Sequence, residues 1–350
     1  MQYRLIKYGK RVGVIIALTF WGLVSNGQIV INEFSASNST QIMDPDFDDY
    51  ADWIELYNSG TTEQNLNGYF ITDNFGTPDK WQFTDDVMIA AGGYLIIWAD
   101  GNNTGLHTGF RLSALGEEIG LYSSDLILLD SVSFPEQKTD ISYGRISDGV
   151  DGWGYFQQST PNASNVTESY HDFVSSVPEF SIRGGFYSAS LSVELFTDHG
   201  GDIRFTSDGS EPDLSSALYS SAIPINFTTI LRARIFETGL IPGPTATQSY
   251  FINENAVEEK LPMVSIATAP ENFWDPQTGI YVQNFKPPWE VPINIELFEN
   301  NGSDRAAFNE LAGTKINGLY SWKLPQKMLG IYFKKQYGSN NLNYPVLHQR

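Results

Sequence analysis

The feature that most constrains this chain is its punctuation. From Gln28 onward, short apolar or alternating runs are separated by Gly, Asn and Asp, and helical periodicity is nearly absent. Ile29-Val30-Ile31-Asn32-Glu33-Phe34 reads as a first strand. Trp53-Ile54-Glu55-Leu56-Tyr57-Asn58 alternates, with Ile54 and Leu56 on one face and Trp53, Glu55 and Tyr57 on the other. Tyr94 to Trp98 is a nearly continuous apolar strand after the turn Ala91-Gly92-Gly93, and Glu118 to Tyr122 and Asp130 to Phe134 follow it. Further on, Thr229 to Ile235 sets Ile230, Arg232 and Arg234 opposite Leu231, Ala233 and Ile235. Eighteen Tyr and 22 Phe favour strands over helices. A chain of 350 residues predicts two or three domains, here all-β.

There is no cysteine, which excludes disulfides, Cys-ligated zinc, iron–sulfur clusters and cysteine nucleophiles within these residues. The first 27 residues read as a secretory signal. Arg4, Lys7, Lys10 and Arg11 are basic, Val12 to Val24 is largely apolar, and Ser25 and Gly27 suit a cut before Gln28. Cleavage predicts a secreted or outer-surface protein with no transmembrane helix left. Four basic residues leave with that segment, so a net charge of −20 becomes −24. Residues 28–180 hold 24 acidic and 4 basic side chains, and such a surface repels nucleic acid. Beyond Glu310 there is no acidic residue, while Lys315, Lys323, Lys327, Lys334, Lys335 and Arg350 are basic.

Three stretches carry resemblances. Ile31-Asn32-Glu33-Phe34, Asp52 to Asn58, Lys80-Trp81-Gln82-Phe83, Gly92 to Leu95 and Ser142-Tyr143-Gly144-Arg145 resemble the lamin tail domain family, with Phe156 to Asn165 as closing strand and exit. The resemblance spans 28–166 and implies an immunoglobulin-like sandwich and a binding role. The long heptad rod of nuclear lamins is absent from these residues. After a linker at 167–177, residues 178–253 resemble the chitobiase/β-hexosaminidase C-terminal module through Gly185-Phe186-Tyr187, Ile203 to Pro212 and Ile230 to Phe236. That resemblance implies a second, accessory sandwich. A linker at 254–260 leads to 261–350. There Leu261 to Ile266, Asn272 to Val282, Trp289 to Phe298 and Pro325-Gln326-Lys327 resemble the opening of a CotH-type kinase-like domain. The resemblance implies an incomplete, β-rich α+β region whose catalytic carboxylates would lie beyond Arg350. ATP and Mg²⁺ would be cofactors only of a complete domain.

The acidic run Asp44 to Glu55 is the sharpest local chemical signal. Counted from Asp44, acids fall at positions 1, 3, 5, 9 and 12, the oxygen-ligand spacing of an EF-hand loop. Asp44, Asp46, Asp48, Asp52 and Glu55 are therefore candidate Ca²⁺ ligands. Asp49 stands where an EF-hand needs Gly, and no helices flank the run, so the expectation is a calcium loop between strands or a solvated acidic loop. Lys327 is a candidate phosphate-contacting lysine, although no Gly-rich cradle accompanies it. The histidines, His107, His171, His199 and His348, are scattered, and none pairs with another at metal-ligand spacing. Trp81, Trp98, Trp153, Tyr187 and Tyr219 are candidates for glycan stacking, against core packing as their commoner fate.

The expected function is thus a secreted or cell-surface bacterial modular protein that binds or spaces, with an extracellular protein or glycan as partner and no catalytic residue of its own. The alternatives are the front part of an extracellular ATP-dependent protein kinase, or an accessory carbohydrate-associated protein.

Overall fold

The structure is a computed structural model that describes residues 28–254, 262–282, 287, 289–299, 305–334, 337–338 and 341–344. The expected signal at 1–27, and the linker at 254–260 apart from Glu254, lie outside the described residues.

Two antiparallel sheets face each other in the first module. The larger runs in the spatial order Ser169–Tyr170, Trp153–Phe156, Ser142–Arg145, Ile29–Ser35, Trp53–Asn58, Tyr94–Trp98. The smaller runs Trp81–Gln82, Phe70–Thr72, Glu117–Tyr122, Leu128–Phe134. Ile31, Phe34, Ile54, Leu56, Ile71, Ile97, Ile119 and Leu121 fill the space between them. Ile54 and Leu56 point inward, as the alternation predicts. The pairing of Ile29–Ser35 with Trp53–Asn58 is irregular at one point. It slips between Ile31 and Glu33, so Asn32 is the extra residue of a β-bulge. Because the side-chain period is two, the slip lets Ile29, Ile31 and Phe34 all reach the core and turns both Asn32 and Glu33 to the outer face.

The second module has a five-stranded sheet in the order Gly185–Tyr187, Ala246–Ile252, Thr229–Phe236, Asp202–Thr206, Ala217–Leu218, whose first pair is parallel. Two short antiparallel pairs cover it: Leu191–Val193 with Ile223–Ile225, and Glu179–Phe180 with Leu195–Phe196. Leu231, Ala233 and Ile235 are fully buried in its core, the face their alternation predicts. The segment expected as a linker is structured at both ends. Ser169–Tyr170 extends the first module's sheet, and Asp172–Phe173 pairs in parallel with Leu240–Ile241 of the second. Phe173 packs 4.3 Å from Tyr155, and Val174 is buried in the second core. A polar composition hid these contacts, because backbone pairing leaves no mark on side-chain pattern.

The third region is an antiparallel meander of Met263–Ala267, Val291–Phe298, Phe308–Ile316 and Leu329–Tyr332, with a short helix at Pro270–Trp274. It rests on the second module. Phe298 is fully buried against Phe186 and Phe251, at ring-centroid distances of 5.7 and 5.2 Å. Beside them Glu296 accepts hydrogen bonds from Ser249 Oγ and from Asn309 Nδ2 at 3.2 Å, while Ser265 Oγ meets Ser249 Oγ at 2.7 Å. The chain is therefore nearly all β, as the punctuation implies. Among the described residues no helix is long and apolar enough to cross a membrane.

Phe34 is fully buried and packs on Phe134, Tyr143 and Trp153 at 4.6, 5.8 and 6.0 Å. Phe34→Ala should cost the first module about 3–5 kcal/mol, because the cavity cannot collapse between two paired sheets. Denaturant unfolding followed by tryptophan fluorescence measures it, and a loss under about 1 kcal/mol would mean that this layer repacks.

Candidate functional site

The acidic run lies over the outer face of the six-stranded sheet. Ile42 and Ala51 pack on Trp53, Ile96 and Trp98, which gives the loop an apolar floor. Asn38 staples it by donating from Nδ2 to the carbonyls of Ile42 (2.6 Å) and Ala51 (2.8 Å). Asp140 anchors the near end, accepting from the Ser39 and Thr40 amides at 2.7 and 2.9 Å. The Asp44 amide donates to the Asp49 carbonyl at 2.8 Å, which closes the acidic turn.

A second segment meets this turn. After Trp98 the chain loops out and returns along the edge strand. The Trp98 amide donates to the Leu106 carbonyl (2.9 Å), and the Thr108 amide to the Trp98 carbonyl (2.8 Å). That return delivers His107, 2 % exposed, into the acidic loop. Its Nδ1 lies 2.8 Å from Asp100 Oδ2 and 3.7 Å from Asp44 Oδ2, and its Nε2 lies 3.2 Å from Asp46 Oδ2. The Phe47 ring stands edge-on to the imidazole at 4.9 Å. Burial opposes a charge on His107, but hydrogen bonds to Asp46 and Asp100 and the nearby Asp44 charge outweigh it and lift the pKa above 6.5.

The five expected Ca²⁺ ligands separate. Asp44 and Asp46 converge on His107. Asp48 is exposed at the turn with φ +53°. Asp52 lies behind Asn38, where burial pushes its carboxyl up to about 6. Glu55 belongs to a different cluster. His107 and Asp100 were invisible to local spacing, since they reach Asp44 only through the return along the edge strand.

That different cluster is a buried carboxylate network created by the Asn32 bulge. Glu33 accepts from Ser142 Oγ (2.5 Å), the Thr160 amide (3.1 Å) and Thr160 Oγ1 (3.0 Å). Glu55 accepts from Asn32 Nδ2 (3.0 Å) and the Asn162 amide (2.6 Å). Asp148 accepts from Asn32 Nδ2, the Asn165 amide and Tyr94 Oη at 3.0, 3.0 and 2.8 Å. Burial raises the pKa of Glu33 and pushes Glu55 up to about 8, with the nearby Glu33 charge adding to the rise at Glu55. Two adjacent acids whose pKa values burial raises would suit proton transfer. Their partners, however, are strand and exit-loop groups that hold the fold together.

A cleft of about 410 Å³ lies between the second module and the third region. Its lining includes Arg232, Arg234, Glu211, Thr268, Asn272 and Tyr337. Arg232 is ion-paired to Glu211, and Arg234 donates to the carbonyls of Gly243 (2.6 Å) and Pro242 (3.2 Å). Lys327 lies outside this lining. Its amine donates to the Trp322 carbonyl and sits 5.8 Å from the Tyr281 ring centre, while its amide donates to Tyr281 Oη at 3.0 Å. Of the candidate glycan-stacking aromatics, Trp81 and Trp98 are buried. Trp153 stacks on Tyr143, and Tyr187 and Tyr219 pack against the second core.

Residues 24–136 match the family model of the Lamin Tail Domain. Residues 182–247 match that of the Chitobiase/beta-hexosaminidase C-terminal domain. Both matches support the resemblances of the first two modules, in the same order. No curated protein matches the chain. No solved structure matches it either.

The raised carboxyls set a pH dependence. Glu55 titrates near 8 and Glu296, desolvated at the module interface, near 7, against an ordinary 4.5. Between those values the folded chain binds more protons than the unfolded one, so stability is full below about 4.5 and falls as pH rises through 7 and 8. His107, raised above 6.5, acts in the same direction. The melting temperature should drop by at least about 5 °C from pH 5 to pH 8, and Glu55→Gln should flatten that slope. A melting temperature that rises over this interval would contradict the assignment.

Proposed function

We propose that this chain is a secreted or cell-surface modular protein that binds and spaces, with the acidic face of its first sandwich as the interaction surface. The two family matches support a modular, binding-type protein. The observation that carries the proposal is how the first module uses its charges. Its buried carboxylates hold the exit loop and neighbouring strands, while three of its four basic residues, Lys80, Lys138 and Arg145, are paired with Asp73, Glu136 and Asp130. The exposed acids are left with few cations nearby, and a partner with a basic surface would be drawn to them. The Lys327 amine is engaged by the Trp322 carbonyl, which favours a structural role over contact with a phosphate.

The chain from Gln28 onward, immobilised and offered a panel of extracellular proteins and glycans, should capture a basic protein. The interaction should weaken several-fold between about 50 and 500 mM salt, as a charge-steered contact does. The same preparation should transfer no phosphate from Mg²⁺-ATP. Phosphoryl transfer that disappears in Lys327→Ala would replace this function with the kinase alternative.

A further inference from the structure

We propose that Asp44, Asp100 and His107 form a binding site for a divalent transition-metal ion of the Zn²⁺ type, with Asp46 as its outer support. Each residue offers one donor atom, and the three atoms lie within 4.8 Å of one another. All three residues are buried, at 1, 8 and 2 % exposure. Bonds of about 2.0–2.2 Å to a single ion would need only a small readjustment of that triangle, opening the 2.8 Å side and closing the 3.7 Å one.

Two further observations point to a ligand rather than to a chance acidic cluster. Asp44 Oδ2 is buried without a hydrogen-bond partner and faces His107 Nδ1 at 3.7 Å. Its other oxygen is already used, accepting from the Asp46 amide at 2.9 Å. An unpartnered carboxylate oxygen at this depth is costly, and a bound cation would satisfy it. The imidazole, in turn, is arranged as metal-bound histidines are. Nδ1 faces the two inner carboxylates, and Nε2 is positioned to donate to Asp46 Oδ2 at 3.2 Å, which fixes the tautomer and the ring orientation. Asp100 is held as well: its Oδ1 accepts from the Asn102 amide at 2.9 Å and its Oδ2 from Asn102 Nδ2 at 2.5 Å. Asp46 is 69 % exposed, so an ion can reach the site from solvent.

The donor set selects the ion. Ca²⁺ takes six to eight oxygens at about 2.3–2.6 Å, and three of the five carboxylates that EF-hand spacing implies face elsewhere. One imidazole with two carboxylates suits Zn²⁺, with a water completing four-fold coordination. Bound there, the ion would fasten the Asn38–Asp52 loop to the returning segment that carries His107, over the floor of Trp53, Ile96 and Trp98.

The test is calorimetric titration of the chelator-treated chain with Zn²⁺ and, separately, Ca²⁺ at neutral pH. One Zn²⁺ per chain is expected, bound at least about 100-fold more tightly than Ca²⁺. Asp44→Asn and His107→Gln should each weaken Zn²⁺ by about 100-fold. Asp46→Asn should weaken it by about 10-fold, the usual effect of removing an outer-shell partner. Asp48→Asn should change nothing. Should the ligand variants fail to fold, X-ray absorption of the Zn²⁺-loaded wild-type chain reads the same claim, since it must show one imidazole in an otherwise oxygen shell. No Zn²⁺ binding, an all-oxygen shell, undiminished binding in His107→Gln, or tighter Ca²⁺ than Zn²⁺ would each overturn the proposal.

Discussion

The first module depends on one local constraint, the bulge at Asn32. A regular strand would have sent Glu33 into the core beside Ile29 and Ile31. The extra residue sends it outward, next to Glu55 of the neighbouring strand. Two glutamates on one face are intolerable without donors once they are covered, and the chain supplies those donors from far away. Ser142 comes from one strand and Thr160 and Asn162 from the exit loop. Satisfying the carboxylates therefore fixes where the chain leaves the sandwich. The next residues then add Ser169–Tyr170 to the same sheet and Asp172–Phe173 to the second module. A slip of one residue in the first strand thus determines how the second module is approached.

The same logic recurs, in weaker form, between the second module and the third region. Glu296 is buried, and its donors come from both sides: Ser249 from the second module, Asn309 from the third region. The aromatic contact of Phe186, Phe251 and Phe298 supplies the apolar area. Apolar contact tolerates sliding, whereas a desolvated carboxylate with fixed donors does not, so Glu296 sets the register of the two bodies.

Strand positions and inward faces were legible in the sequence because they are local. Ile54, Leu56, Leu231, Ala233 and Ile235 all point where a period of two places them. The candidate site was half legible. The acidic run announced itself, and Asp44 and Asp46 do share a cluster, but its nitrogen donor was hidden. His107 sits among Gly, Asn and Thr with no partner at a telling interval, and only an edge strand with a returning segment brings it to Asp44. Glu55 misled for the opposite reason. Its spacing from Asp44 fits a loop, but its side chain belongs to a strand and to the bulge network. Ligand spacing is informative only when the intervening chain adopts the geometry that the spacing assumes, and a β-strand spreads residues that a helix-flanked loop would gather.

These two clusters explain why an excess of acids can coexist with a packed sandwich. The acids of the first module divide into a buried set, hydrogen-bonded to strands and exit loop, and an exposed set that includes the turn at Asp46 to Asp49. The buried set contributes little to the outer field, because burial favours the protonated form of Glu33 and Glu55. The field that a partner meets comes mainly from the exposed set. Asp44, Asp100 and His107 lie at the boundary between the two, sealed beneath Phe47 and Asp46 yet one side chain from solvent. A cation held there would neutralise the inner carboxylates while leaving Asp48 and Asp49 charged. Ordering the loop and presenting its charge would then be a single physical event, since the ion that fastens the turn also decides which carboxylates remain for a partner to find.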